Sequence, residues 1–197
     1  MLKIGITGGI GSGKTTACRI FETLGIPIYN ADERAKELMS NRPDLIAGIK
    51  TIFGEKAYKT ATTLNRVYLA NVLFKDKVKL EQLNLLVHPA VLEDSMQWQI
   101  EQAQKGALYS LKEAALLFES GTYVTLDKII VVTAPSELRI QRVMARDGVD
   151  AEAVKARMVR QWPQADKVAK ADFLIENINR NTLEAQVKAI HQQLLAA

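Results

Sequence analysis

The chain has 197 residues, 48% hydrophobic and 24% charged, which fits one globular domain with a substantial core; no internal repeat or low-complexity segment appears. Its 26 basic and 22 acidic residues leave a net charge of +4, yet no basic run of five occurs and aromatic residues make up only 6%. An anionic small molecule is therefore expected as partner rather than nucleic acid. The single cysteine, Cys18, excludes an internal disulfide and fits a reducing compartment. The absence of a leader or of roughly 18 consecutive apolar residues points to a cytoplasmic protein rather than a membrane one.

Lys3 to Thr7 is a short apolar run suited to a buried strand. It leads into Gly8-Gly9-Ile10-Gly11-Ser12-Gly13-Lys14-Thr15, a complete G-x-x-x-x-G-K-[ST] element. Ala17, Ile20, Phe21 and Leu24 recur at i, i+3, i+4 and i+7 after it, so a helix follows until Gly25. Strand, glycine loop and helix are consecutive, as phosphate binding requires. Glycines let the backbone wrap closely around a phosphate chain, and the helix start adds free N–H groups and a positive dipole end. Gly8, Gly9, Gly11, Ser12, Gly13, Lys14, Thr15 and Thr16 are thus expected to hold the nucleotide, with Lys14 on the β- and γ-phosphates and the Thr15 hydroxyl on Mg²⁺.

Ile26 to Tyr29 is a second strand candidate, ending at Asn30-Ala31-Asp32. A carboxylate at the carboxyl end of a strand makes Asp32 a candidate general base or metal ligand; it also suits the cap of a helix over Glu33 to Met39. From about 40 to 105 the pattern is helical, far longer than a simple crossover, and reads as an insertion that holds a second substrate. Within it His88-Pro89 predicts a helix boundary, after which Leu92, Met96, Ile100 and Ala103 resume a helical period. His88 taken alone suits a bond to a backbone group. Ala107 to Phe118 contains a third strand, interrupted by Lys112 and Glu113, with Glu119 following at its end. Ile129 to Thr133 is the clearest strand. The next helix carries Arg139, Arg142 and Arg146 at i, i+3 and i+7, and with its successor predicts a basic lid over about 136–165. Phe173 to Ile175 and a helix with Leu183, Val187, Ile190 and Leu194 facing the core complete the chain, with His191 expected at the surface. Strands alternating with helices predict an α/β fold, a parallel sheet covered on both faces.

The ordered set of motifs resembles the dephospho-coenzyme A kinase family over essentially the whole chain. The glycine loop is shared with many kinases. More diagnostic are Asn30-Ala31-Asp32 with Ala35-Lys36-Glu37-Leu38, His88-Pro89, and Leu116-Leu117-Phe118-Glu119. Gln141-Arg142, Arg146-Asp147-Gly148, Gln161, Ala171-Asp172 and Asn177 then match the lid and C-terminal signature. Asn30, Lys36 and Ala115 depart from the family's aspartate, arginine and proline. The resemblance implies a P-loop kinase fold with a helical acceptor-binding insertion and a helical lid. It also implies transfer of phosphate from ATP, with Mg²⁺, to the 3′-hydroxyl of dephospho-coenzyme A. Asp32 would take the hydroxyl proton, Arg142 and Arg146 would stabilise charge, and Asn177 would contact adenine. Lys36, His88 and Glu119 would contact the acceptor. A kinase for a nucleoside monophosphate or shikimate is the nearest alternative. A nucleotide-switched binding protein is a more distant alternative: no N-K-x-D element is present for a GTP switch, and no apolar strand ends in paired Asp-Glu as in a motor-type ATPase. Oligomeric state is left open.

Overall fold

The computed structural model describes residues 1–196, which group into two compact units, Met1–Asn30 with the chain from Trp98 onward, and Ala31–Gln97. The first unit is built on a five-stranded sheet in the order β2-β3-β1-β4-β5, every neighbouring pair parallel. Its strands are β1 (Leu2–Thr7), β2 (Ile28–Asn30), β3 (Tyr109–Glu113), β4 (Lys128–Thr133) and β5 (Phe173–Glu176). All five lie where the sequence places strands.

Side chains alternate across the sheet, so Ile4, Ile6, Tyr109, Leu111, Ile130, Val132 and Ile175 share one face. Against that face pack Phe21 of α1 (Lys14–Thr23) and Leu183, Val187, Ile190 and Leu194 of α9 (Arg180–Leu195), all buried. Fully burying each side chain stabilises by roughly 1.5–3 kcal/mol, which holds the helix of the glycine loop rigidly on the central strand. His191 is not a free surface group: its Nδ1 meets the Tyr109 hydroxyl at 2.7 Å. The rest of the unit contains α6 (Ser136–Asp147), α7 (Ala151–Met158) and α8 (Gln164–Ala169).

β3 departs from a purely apolar strand. Lys112 and Glu113 are both inside it and nearly buried. Lys112 lies opposite Tyr29 in the β2 register, with its ammonium over the Tyr29 ring. Burial pushes its pKa down to about 8.

The second unit is helical: α2 (Ala31–Asn41), α3 (Pro43–Phe53), α4 (Arg66–Lys75) and most of α5 (Lys77–Gln104). Its core gathers Ile49, Phe53, Ala57, Tyr58, Leu64 and Leu69. The Tyr58 hydroxyl donates to Met39 O at 2.7 Å and the Tyr68 hydroxyl to Phe53 O at 2.9 Å. The expected boundary at His88-Pro89 is absent, because α5 runs through Pro89. Proline forfeits one backbone bond, but the flanking Val87, Ala90 and Val91 are buried and packing carries the helix past it. The apolar period read after Pro89 also marks the wrong side, since Met96 and Ile100 are about half exposed while Ser95 and Gln99 are buried. Among the described residues no helix is long and apolar enough to cross a membrane.

Candidate active site

β1 ends at Thr7, and the chain turns through the glycine loop into α1. Gly11 and Gly13 have φ of 78° and 90°, which other residues rarely adopt. A Cβ on Gly11 would strike the Arg139 carbonyl, and one on Gly13 would strike the Asn177 amide. The glycines therefore answer to neighbours as well as to a ligand. Ser12 N donates to Gly9 O and Thr16 N to Gly13 O, both at 3.0 Å, and Lys14 Nζ reaches back to Gly8 O at 3.2 Å.

Four side chains from distant sequence brace this loop. Gln161 Oε1 accepts from Ile10 N at 2.8 Å and Gln164 Oε1 from Gly9 N at 3.3 Å. Arg139 Nε donates to Ile10 O at 2.9 Å, and Asn177 Nδ2 to Ser12 O at 2.8 Å. Arg139 is only 7% exposed, so the arginine stripe of α6 is not one solvent-facing row: its first member is built into the loop's support. Burial lowers the Arg139 pKa, and the Ile10 carbonyl offsets part of that cost. Asn177, expected at the adenine, donates one of its two amide N–H groups to the loop and also lines the cavity beside it.

At the front of α1 the Thr15 hydroxyl donates to Glu113 Oε1 at 2.8 Å, and Asn30 Nδ2 donates to Glu113 Oε2 at 3.2 Å. The parallel register puts Glu113 beside Ile6 on one side and Asn30 on the other, so three strand ends converge on one carboxylate. Sequence reasoning passed over Glu113 and favoured Glu119; the signal was a charged residue ending an apolar run. Beneath it Cys18 is buried, and desolvation, reinforced by Glu113, raises its thiol pKa well above the usual value.

Beside the loop lies a cavity of about 600 Å³ lined by Gly13, Thr16, Arg19, Arg142, Asn177 and Arg180 among others, a size usual for small-molecule sites. Arg142 enters it half-buried. One of its guanidinium nitrogens, Nη2, makes a 3.5 Å bond to Ile178 O, while Nη1 is buried without a partner. A buried guanidinium N–H with no acceptor is suited to an anionic ligand. Arg146 is exposed and bonds both oxygens of Asp147, at 2.6 and 3.1 Å. Arg157 joins the same carboxylate at 2.8 Å, and the two arginines, Arg146 foremost, hold Asp147 down at about 2.

Glu119 is engaged elsewhere. Its Oε1 meets the fully buried Lys167 ammonium at 2.8 Å and accepts from Trp162 N at 2.7 Å. The pair locks the segment carrying Gln161 and Gln164, and losing either partner of a buried pair costs roughly 3–5 kcal/mol. In the helical unit, Asp32 opens α2, Lys36 pairs with Glu33 at 2.6 Å, and His88 is half-buried with its pKa lowered by desolvation.

A sequence model described as dephospho-CoA kinase matches residues 2–183. The dephospho-CoA kinase of Chlorobaculum tepidum is 39% identical, covering 98% of this chain and 95% of its own. A solved Thermus thermophilus structure superposes with a TM-score of 0.85 at 34% identity, over 98% of this chain and 97% of that one. Dephospho-CoA kinase from Campylobacter jejuni superposes with a TM-score of 0.73 at 29% identity, over 98% and 96%. The phosphate loop on a parallel sheet is thus a P-loop kinase's, and the chain belongs to the dephospho-CoA kinase family.

Proposed function

We propose that this protein transfers the γ-phosphoryl group of ATP to the 3′-hydroxyl of dephospho-coenzyme A, giving coenzyme A and ADP, the final step of coenzyme A synthesis. The family match over residues 2–183 carries the reading, and the braced glycine loop supplies its chemistry. Those N–H groups of Gly8 to Thr16 that are not already bonded to Gln161, Gln164 or the loop itself surround the phosphates, and Lys14 adds a cation at the β- and γ-phosphates. Arg142, through its buried and unpartnered Nη1, neutralises charge gathering on the moving phosphoryl group. Arg146 approaches the nucleotide by leaving Asp147. Asn177 contributes at the cavity wall while its amide fixes Ser12.

The residues present suit Mg²⁺. Among the described residues no group of three or more His, Cys, Asp or Glu side chains forms a cage, and Mg²⁺ characteristically keeps waters and phosphate oxygens with few protein ligands. Thr15 would hold it, with Glu113 orienting the hydroxyl so that an oxygen lone pair faces the ion. When bound, the ion neutralises phosphate charge. Asp32 takes the 3′-hydroxyl proton, with Lys36 and His88 on the acceptor. Glu119 braces Lys167 and Trp162 through Oε1, and its Oε2 is left to the acceptor. ATP, Mg²⁺ and a small acceptor, without nucleic acid or membrane, fit a cytoplasmic enzyme.

The test is a product assay. Purified protein with Mg-ATP should convert dephospho-coenzyme A to coenzyme A with equal formation of ADP. Good turnover of shikimate or a nucleoside monophosphate, with none of dephospho-coenzyme A, overturns the reading.

A further inference from the structure

The helical unit contains a second cavity, of about 440 Å³, lined by Ser40, Lys59, Thr62, Thr63, Leu64 and Arg66 with Val67. Its walls are fixed by bonds that leave the side chains of the lining residues available. Tyr58 pairs with Leu64 as an antiparallel bridge, Lys59 N donates to Thr63 O at 2.7 Å, and Thr63 N donates to Thr60 Oγ1 at 3.1 Å. Asn65 caps α4 through Tyr68 N and also holds Lys56 O, so Arg66 stands at a defined first position of the helix. The Tyr58 bond to Met39 O ties this turn to the end of α2, beside Ser40.

The charge of the lining is one-sided. Elsewhere in this unit Arg34, Lys36, Arg42 and Lys50 each pair with a carboxylate. Lys59 and Arg66 make no ion pair or side-chain hydrogen bond among the described residues, and no acidic residue lines the cavity. Two unpaired cations with three hydroxyls form a receptor for a compact polyanion: the guanidinium fork engages two oxygens, the ammonium acts as a point charge, and the hydroxyls donate to the rest.

Its place on α2 selects which polyanion. Asp32, Lys36 and Ser40 stand at i, i+4 and i+8 on one helix face, and eight residues at 1.5 Å put Ser40 about 12 Å along the axis from Asp32. In the acceptor, a ribose and its 5′ linkage separate the reacting 3′-hydroxyl from a diphosphate, so an anion site about two turns along the helix from Asp32 matches the order of groups in the acceptor. We propose that the Ser40/Lys59/Thr62/Thr63/Arg66 cavity binds the diphosphate of the acceptor, with Lys36 lying between it and the reacting end. This inference rests on the function proposed above and adds the subsite that distinguishes a diphosphate-bearing acceptor from a bare nucleoside.

Steady-state kinetics of Arg66→Ala, Lys59→Ala and the double variant test it. The KM for dephospho-coenzyme A should rise roughly 10-fold singly, equivalent to about 1.4 kcal/mol, and up to about 100-fold in the double variant. The kcat and the KM for ATP should stay within about 2-fold. Arg66→Lys should recover part of the affinity. Adenosine, which has the 3′-hydroxyl and no diphosphate, should compete with the acceptor with the same inhibition constant in all forms. An unchanged KM for dephospho-coenzyme A in an active enzyme overturns the subsite alone. An equal loss for adenosine overturns it too, by making the effect general. A wild-type protein inactive on dephospho-coenzyme A overturns the functional reading, and this subsite with it.

Discussion

The Thr15 hydroxyl and the Glu113 carboxylate lie 2.8 Å apart, joining the glycine loop to the end of β3. Glu113→Ala removes that acceptor and the acceptor of Asn30 together. The Mg²⁺ concentration needed for half-maximal rate should rise roughly 10- to 100-fold, the usual effect of losing a group that orients a metal ligand. Glu113→Gln, which keeps an acceptor oxygen, should fall between. A titration of rate against Mg²⁺ at saturating ATP decides it, and an unmoved curve with a lowered Tm would leave Glu113 a purely structural role.

Asp32 sits in the first turn of α2, where a carboxylate also suits the helix dipole. Asp32→Asn should lower kcat by roughly 10²- to 10⁴-fold with the KM for ATP nearly unchanged, because the lost contribution belongs to proton transfer. The dipole contribution alone is about 0.3–1 kcal/mol and would show in Tm, not in rate. Near wild-type kcat removes Asp32 from the mechanism.

Arg142 and Arg139, three residues apart on α6, should separate cleanly. Arg142→Ala should lose on the order of 10³-fold in kcat with little change in Tm. Arg139→Ala strips the Ile10 carbonyl of its donor and opens space beneath Gly9, where the guanidinium packs. That should cost about 1–3 kcal/mol, a fall in Tm on the order of 5 °C, and weaken ATP binding. Similar small effects at both positions would remove both the loop brace at Arg139 and the charge-stabilising role of Arg142.

Burial pushes the Tyr58 hydroxyl up to about 12 from an ordinary value of 10. Between those pH values the unfolded chain has released the phenolic proton while the folded chain retains it. Stability contributed by this group is present below pH 10 and falls as pH rises toward 12, by at most about 1.4 kcal/mol per pH unit. Tyr58→Phe should lower stability slightly at neutral pH, by loss of the Met39 bond, and lessen the alkaline decline. Parallel alkaline melting curves for the two proteins would contradict this.

The glycine loop and all five strands were legible because their signals are local: a backbone that must curve around phosphate, and apolar runs of strand length. What escaped depends on partners remote in sequence. Glu113 becomes a site residue only once β3 pairs with β1 and β2, which no property of Tyr109 to Glu113 dictates. Arg139 follows the same helical spacing as Arg142 and Arg146; periodicity gave its angle on the helix but not the carbonyl waiting there. At Pro89 a local breaker was overruled by burial on both sides. Glu119 sets one oxygen against Lys167, from a helix almost fifty residues away, a pairing that its own neighbours in sequence do not signal.

Gln161, Gln164 and Arg139 all come from the stretch expected to form the lid, yet each grips the glycine loop. The stretch is therefore not a cassette. A chimera that exchanged residues 136–165 for the lid of another P-loop kinase would strip the loop of three supports, and its failure would first register as lost nucleotide affinity. Transplanting such a lid requires moving its two glutamines and buried arginine along with it.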